Sequence, residues 1–359
     1  MKEIAAWMKR GSPQVFRLFG YAGTGKTTLA RHVAEHIDGD VRFGAFTGKA
    51  ALVMRSKGCT DASTIHSMIY RPKRPAEDEE EAEETFSFAL NRHSDIAKAD
   101  LVVIDECSMV DEELGRDLLS FGKLTLVLGD PAQLPPVKGG GFFTEAEPDI
   151  MLTEVHRQAR DNPIIRLSME VREGGTLARG DYGTTRIIGR REIDADRILA
   201  ADQVLVGRNK TRHLYNKRIR ELKGHGSPTP EVGEKLVGLR NDKTKGIQNG
   251  GIYRVTRVKD PRGGLLKFDL APEDSGERRR IAASVLPAFF EGGEEALPYQ
   301  LRRKSDEFDY GYALTVHKAQ GSQWDDVVLF DESFAFREHR ARWLYTGITR
   351  AAERLTVVT

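Results

Sequence analysis

The sequence predicts an α/β protein of two lobes with parallel sheets, a hairpin-like insertion in the first and a small β-barrel inserted in the second. Three observations carry this. Apolar strands alternate with helical segments through the first 150 residues, and the alternation breaks once, between Tyr70 and Ala97. From about 233 to 297 the texture turns all-β, and the α/β pattern returns at Tyr310. At 359 residues the chain can build two or three compact domains. The expected divisions are a first lobe over 1–150, with its insertion at about 68–95, a second lobe in two parts, 151–232 and 298–359, and the barrel over 233–297.

Strands are expected at 15–20 (VFRLFG), 41–46 (VRFGAF), 101–106 (LVVIDE) and 124–130 (LTLVLGD), short apolar runs of buried-strand type. A helix over 27–37 follows from Leu29, Ala30, Val33, Ala34 and Ile37 sharing one face. In the insertion, Phe86, Phe88 and Leu90 alternate with small or polar residues, the period of a strand. A second α/β section is expected from about Leu152, with a strand at 203–206 feeding a helix over 210–222 capped by Asn209. In the all-β stretch, Asn249-Gly250 between extended runs signals a hairpin turn.

No run reaches the roughly 18 apolar residues of a membrane span, and the first residues carry no apolar export segment. Two cysteines, Cys59 and Cys107, can form neither a disulfide framework nor a metal site alone, which suits a reducing cytoplasm. The net charge of +1 hides local contrast. Residues 77–84 (EDEEEAEE) carry seven acids, and the rest of the chain sets 55 basic residues against 47 acidic ones. Basic residues gather at 208–220, 301–304 and 336–342, either as solvated helix faces or as part of a phosphate-tracking groove.

Gly20-Tyr-Ala-Gly23-Thr24-Gly25-Lys26-Thr27 matches G-x-x-x-x-G-K-[ST], directly after a strand and opening a helix. Such a loop curls backbone N–H groups around nucleotide phosphates, with Gly20, Gly23, Thr24, Gly25 and Thr28 shaping the cradle. Lys26 is placed for the β/γ-phosphates and Thr27 for Mg²⁺. The run Leu101–Ile104 ends in Asp105-Glu106, which fits an acid holding Mg²⁺ and a second acid activating water. ATP and Mg²⁺ are therefore the expected cofactors. Cys107 reads as a packing residue.

Downstream lie Gly129-Asp-Pro-Ala-Gln133-Leu-Pro-Pro136, Leu152-Thr-Glu-Val-His-Arg157, Thr315-Val-His317-Lys318-Ala-Gln-Gly321 and Tyr345-Thr-Gly-Ile-Thr-Arg350. In this order and spacing the set resembles superfamily-one helicases, in particular the RecD-like and Dda-like branch that moves 5′ to 3′. The resemblance runs from Val15 to Val358 and implies two RecA-like lobes. It implies that Gln133 senses the γ-phosphate, that Gly321 lies at the nucleotide, and that Arg157 and Arg350 serve as arginine fingers from the second lobe. It also implies a strand track through Thr47, Gly48, Lys49, Thr64 and His66 in the first lobe and Thr315, His317 and Lys318 in the second, with Arg208 and Asn209 beside them. Trp324 and Phe142 read as packing residues. Gln14 stands too close to the phosphate loop to be the adenine-reading glutamine of that family, which leaves either a truncated start or weak base selectivity.

The implied activity is ATP-dependent 5′-to-3′ unwinding of DNA, acting on single strands and single-strand/duplex junctions without a membrane, and compatible with a monomer. A nucleic-acid-stimulated clamp without strand separation, an RNA helicase and a P-loop kinase are the competing readings. At about residues 68–92 the branch carries a strand-separating pin, so Phe86 and Phe88 stand as wedge residues, or else pack the hairpin onto its lobe.

Overall fold

Runs dense in β-branched and aliphatic residues become the strands of two six-stranded sheets. The computed structural model describes residues 2–72, 88–136, 139–154, 161–242, 244–273, 280–293 and 297–359. Two units are present, Met1–Arg160 and Asp161–Thr359, each with its own core.

In the first unit, β1 (Val15–Gly20), β2 (Val41–Ala45), β3 (Ser63–Thr64), β6 (Leu101–Asp105), β7 (Leu124–Gly129) and β8 (Ile150–Leu152) form an all-parallel sheet in the order β3-β2-β6-β7-β1-β8. Parallel strands covered on both faces need apolar residues throughout, and β6 is buried at every position. One face is covered by α1 (Lys2–Arg10) and α2 (Lys26–Glu35), which bring Ile4, Trp7, Ala30 and Val33 onto Phe16 and Leu18. The other is covered by α4 (Ile65–Ile69) and α5 (Glu112–Leu119), packing Ile65, Leu114 and Leu118 against Phe19 and Ile104. A further helix, α3 (Gly48–Ser56), follows β2. Ile150–Leu152, expected to open the second lobe, instead extends the first sheet beside β1. Between α4 and the loop before β6, β4 (Tyr70–Pro72) pairs antiparallel with β5 (Phe88–Leu90). Residues 73–87, with Phe86 and the acidic run, lie outside the described residues.

The second unit has β17 (Ala313–Thr315), β11 (Gln203–Val206), β18 (Trp324–Phe330), β19 (Ala351–Val358) and β10 (Thr185–Ile188) side by side and parallel, with β9 (Gly180–Asp181) antiparallel at the edge. A separate antiparallel sheet runs β15-β14-β13-β12-β16, from β12 (Lys235–Gly238), β13 (Ile252–Arg262), β14 (Leu265–Pro272), β15 (Ile281–Val285) and β16 (Phe308–Tyr310). Its fifth strand thus comes from beyond residue 297, and a bridge between Val285 and Asp306 links its two edges. One core serves both sheets, with Val204, Val206 and Val328 meeting Phe268, Leu270 and Phe308. Asn249-Gly250 is the centre of a turn, with the Gly251 N–H donating to the Gln248 carbonyl at 3.0 Å, in the connection between the antiparallel β12 and β13. A second, two-residue hairpin follows. It is β13–β14, where Gly263 (φ 63°) and Gly264 (φ 75°) form the two-residue turn between the paired Arg262 and Leu265. Two successive residues with positive φ match the twist of the strands, and glycine adopts them without strain.

The basic run 208–220 is divided between solvent and core, with Arg208, Lys210, Lys217 and Arg218 exposed. It forms the helix Asn209–Leu222, whose Arg212, Asn216 and Arg220 are buried at four-residue spacing. Arg212 pairs with Asp309, and Arg220 donates to Glu234 at 2.7 and 2.9 Å. Asn216 donates to the carbonyls of Tyr310 and Ala313 at 3.0 and 3.1 Å, fixing the helix against both sheets. Each buried cation is satisfied internally, as buried charge requires.

Candidate functional site

In the first unit, β6, β7 and β1 are neighbours, and all three end on the edge where open parallel sheets bind ligands. Gly20 ends β1 where a Cβ would come within 2.8 Å of Leu152 Cβ and 2.6 Å of Thr24 Oγ1, so only glycine fits. Gly23 and Gly25 both take φ 78°, curling the loop before α2. Thr24 Oγ1 donates to the Tyr21 carbonyl at 2.8 Å, bracing the curl. Gly25 is the N-cap and supplies no side chain, so the first-turn N–H groups, Thr27 and Thr28 among them, face the loop uncapped by any side chain. Lys26 Nζ donates to the carbonyls of Gly20 and Tyr21 at 2.7 and 3.0 Å, which holds the ammonium over the cradle.

Thr27 Oγ1 donates to Asp105 Oδ2 at 2.8 Å. This hydroxyl–carboxylate pair is an all-oxygen donor set of the kind a hard cation such as Mg²⁺ takes. Asp105 Oδ1 accepts the Glu106 N–H at 2.8 Å. Glu106 itself stands at φ 54°, ψ 44°, a left-handed conformation that costs a non-glycine residue about 1–2 kcal/mol. That conformation turns the backbone at the end of the buried strand into the short helical turn Cys107–Met109. After β7, the wholly buried Asp130 accepts the Ala132 N–H at 3.0 Å and shapes the turn that carries Gln133. Gln133 is buried, and its Oε1 has no hydrogen-bond partner among the described residues. An orphaned amide oxygen costs about 1–3 kcal/mol, and the fit is to a donor that arrives with substrate. Behind this edge, Cys107 Sγ fills the space a Cβ at Gly129 would need, and burial pushes its thiol pKa up, so it packs rather than reacts. Gln14 is spent on the carbonyls of Leu119 and Lys123 at 2.7 and 3.2 Å, and Phe142 lies against Gly115.

Two more helices start at the ends of neighbouring strands of the same sheet, since Ala45 of β2 pairs with Thr64 of β3. Thr47 caps α3 by accepting the Ala50 N–H at 3.1 Å, and Thr64 caps α4 by accepting that of Ser67 at 3.2 Å. Each hydroxyl keeps its own hydrogen to donate. Gly48 and Lys49 occupy the buried first turn of α3. The exposed His66 lies edge-on to Phe46 at 6.3 Å and beside Tyr70 at 5.6 Å. Phe88 begins β5, and Arg157 and Phe86 lie outside the described residues.

In the second unit, Val206 of β11 pairs with Thr315 of β17, which brings Arg208 and Asn209 to the same edge as Thr315, His317 and Lys318. The helix Asn209–Leu222 has Arg208, not Asn209, as its N-cap, and Arg208 makes no side-chain cap. That role falls to Glu332, which takes the N–H groups of Gly207 and Arg208 at 2.8 and 3.1 Å, Arg208 Nη2 at 2.7 Å and Thr211 Oγ1 at 2.7 Å. Burial works against this carboxylate's charge, but the donors from Thr211, Arg208 and the backbone outweigh it and hold its pKa below the usual range. Thr315 Oγ1 accepts the Lys318 N–H at 3.3 Å, and His317 lies 5.2 Å from the Phe336 ring. Gly321 turns the chain at φ 74°. Arg350 is buried and donates to the carbonyls of Thr346 and Ser322 at 3.0 and 3.1 Å and to Thr349 Oγ1 at 3.1 Å. It has no carboxylate partner among the described residues, so its charge is held in place by neutral acceptors. Sequence reasoning missed Glu332 and gave no role to Asp130 inside its quoted motif. Both are acids just past a strand end, and for Glu332 that position was the one visible signal.

The AAA domain family matches residues 4–188, and the UvrD-like helicase C-terminal domain family matches residues 310–358. The chain belongs to the AAA domain family. It is 30% identical to the ATP-dependent RecD2 DNA helicase of Deinococcus radiodurans over 376 residues, covering 94% of this chain and 46% of that protein. It is 33% identical to the ATP-dependent DNA helicase dda of Enterobacteria phage T4 over 170 residues, 43% of this chain and 37% of that one. The chain spans less than half the length of these relatives. The fold matches that of Bacteroides Pif1 bound to ssDNA with a TM-score of 0.60 at 18% identity, covering 100% of this chain and 92% of that one. The resemblance to superfamily-one helicases carried by the motifs is borne out. No described helix is long and apolar enough to cross a membrane.

Proposed function

We propose that this member of the AAA domain family is an ATP-dependent 5′-to-3′ DNA helicase, working on single strands and single-strand/duplex junctions. One observation carries the reading above the others. On the edge of three neighbouring strands stand a loop with Lys26 over it, the Thr27–Asp105 pair at 2.8 Å, the strained Glu106 and the orphaned Gln133. Bound ATP with Mg²⁺ supplies the phosphoryl bond whose hydrolysis drives motion. Lys26 and the α2 N–H groups hold phosphate charge, and Thr27 and Asp105 ligate the cation. Glu106 orients and deprotonates the attacking water, and Gln133 senses the γ-phosphate. Arg157 and Arg350 add guanidinium charge where the transition state spreads its own, a contribution of about 10³–10⁵ in rate. Gly321 borders the nucleotide.

Thr47, Gly48, Lys49, Thr64, His66, Thr315, His317, Lys318 and Asn209 grip the strand through phosphate and sugar, so no sequence preference is expected. DNA is favoured over RNA by His317-Lys-Ala-Gln. We read the unit Met1–Arg160 and the two stretches 161–232 and 298–359 of the second unit as RecA-like motor lobes, 233–297 as the core of a small barrel, and residues 68–92 as a duplex-splitting pin with Phe86 and Phe88 as its wedge. A cytoplasmic setting suits two buried free thiols, Cys59 and Cys107.

The decisive measurement is unwinding of duplexes with a 5′ or a 3′ single-stranded tail, with ATP and Mg²⁺. Opening confined to 5′-tailed substrates is expected. Opening of 3′-tailed ones reverses the polarity, and DNA-stimulated hydrolysis without opening favours a clamp. Replacing residues 76–90 by a short Gly-containing turn should abolish unwinding while ATPase stimulation by single strands survives.

A further inference from the structure

Beyond the strand track named above, and resting on that reading, we propose that Phe334 is a base-stacking platform which extends the track in the second unit. Phe334 is a large apolar ring left 58% exposed, yet it does not sit on a slack loop. Its neighbours Glu332 and Ser333 are buried, and Ser333 N–H donates to Asp331 Oδ1 at 2.8 Å. The Ala335 N–H donates to the Glu332 carbonyl at 3.0 Å, and Arg340 Nε to Ser333 Oγ at 3.2 Å. Two residues on, Phe336 turns inward, stacked on Trp343 at 5.5 Å and 12° with His317 on it at 5.2 Å. The segment is therefore pinned on both sides of a ring that it holds in solvent.

Two features choose the occupant. The Arg208 guanidinium lies 5.6 Å from the centre of the Phe334 ring and is fixed there by Glu332, pairing a π-face with a planar cation. Exposed Arg337 and Arg340 follow on the same segment, with Glu338 between them, so it carries a net positive charge beside Arg208 of the kind a polyanion meets. A protein partner would want the apolar area broader, whereas one aromatic ring paired with a guanidinium suits one base of a strand whose phosphates run past. Continuity points the same way, since Phe336 ties this segment directly to His317. The contact is to a π-face, so any base serves.

The test uses the full chain and a fluorescein-labelled oligo(dT), read by anisotropy over a salt series. Phe334→Ala should weaken binding about 10-fold while leaving the slope against salt as in wild type, because no phosphate contact is lost. Phe334→Trp should restore affinity. An abasic site scanned along the strand should weaken wild-type binding at one position and leave Phe334→Ala indifferent there. Phe334→Ala binding as tightly as wild type overturns the proposal, as does a change in oligomeric state at unchanged affinity. Wild type that fails to bind oligo(dT) at all overturns the helicase reading instead, so the two failures are distinct.

Discussion

The first helix turns that dress the strand edges of the two units are built from opposite chemistry. In the first unit α3 and α4 begin on threonine hydroxyls, Thr47 and Thr64, which satisfy a backbone N–H and leave the positive end of the helix uncompensated. In the second unit the helix Asn209–Leu222 begins on the carboxylate of Glu332, which brings a full negative charge to the same kind of end. A neutral cap leaves room for a phosphate, and an anionic cap has already taken its place. On the proposed strand track, the second unit is then left its side chains, namely Arg208, Asn209, His317 and Lys318, whereas the first offers the backbone of its helix starts. The cations differ as well. Lys26 lies over an open loop, while Arg350 is buried among neutral acceptors.

The largest effect should come from Arg350. Arg350→Ala should lower DNA-stimulated ATP turnover by about 10³-fold or more, with single-strand affinity and the melting temperature as controls. Near-normal turnover would make the guanidinium a structural pin for the Ser322 and Thr346 carbonyls and nothing more. Glu106→Gln should bind ATP and DNA yet turn over about 10²- to 10⁴-fold more slowly. Single-turnover hydrolysis in the first unit's edge reads this separately from binding.

The difference between the units also marks what could be read from sequence. The phosphate loop, the Asp105-Glu106 pair and the strands beneath them are contiguous in the chain, so a local pattern carries local geometry. Glu332 lies 125 residues from Gly207, and Asp309 lies 97 residues from Arg212, so neither pairing has a local signature. For that reason a run of basic residues read as surface turned out to bury Arg212 and Arg220. The edge strand β8 followed the same rule, because Ile150–Leu152 carries no mark saying which sheet it will join. The Asn249-Gly250 turn was legible as a local pair between extended runs, and the two glycines of the Gly263-Gly264 hairpin turn carried a signal of the same kind.

A substitution can make the first unit resemble the second. Thr47→Asp keeps a cap of equal rank for α3, so thermal stability should hold. It also sets a carboxylate where the strand's phosphate would sit, and like-charge juxtaposition should weaken oligo(dT) binding at least about 10-fold. Thr47→Ser should bind as wild type. Unchanged affinity in Thr47→Asp would mean that phosphates do not approach this helix start, and the contrast between neutral and anionic caps would lose its functional meaning.

The smallest effect tests the other side. Glu332→Gln retains an oxygen for the N–H groups of Gly207 and Arg208 but loses the charge that fixes Arg208, a change worth about 1–2 kcal/mol at neutral pH given that the Arg208 side chain is half exposed. The pH dependence gives the effect a signature. The folded-state pKa of Glu332 is depressed, because the hydrogen bonds to Thr211, Arg208 and the backbone overcome the cost of burial. Its stabilising contribution is therefore complete above the unfolded glutamate pKa of about 4.3 and fades as pH falls through the lower folded value. Wild type should lose more stability than Glu332→Gln between neutral pH and pH 3, so the two denaturation midpoints should converge in acid. Midpoints that stay equally far apart across that range would show that the charge is not what anchors this helix, and that the carboxylate acts by shape and hydrogen bonding alone.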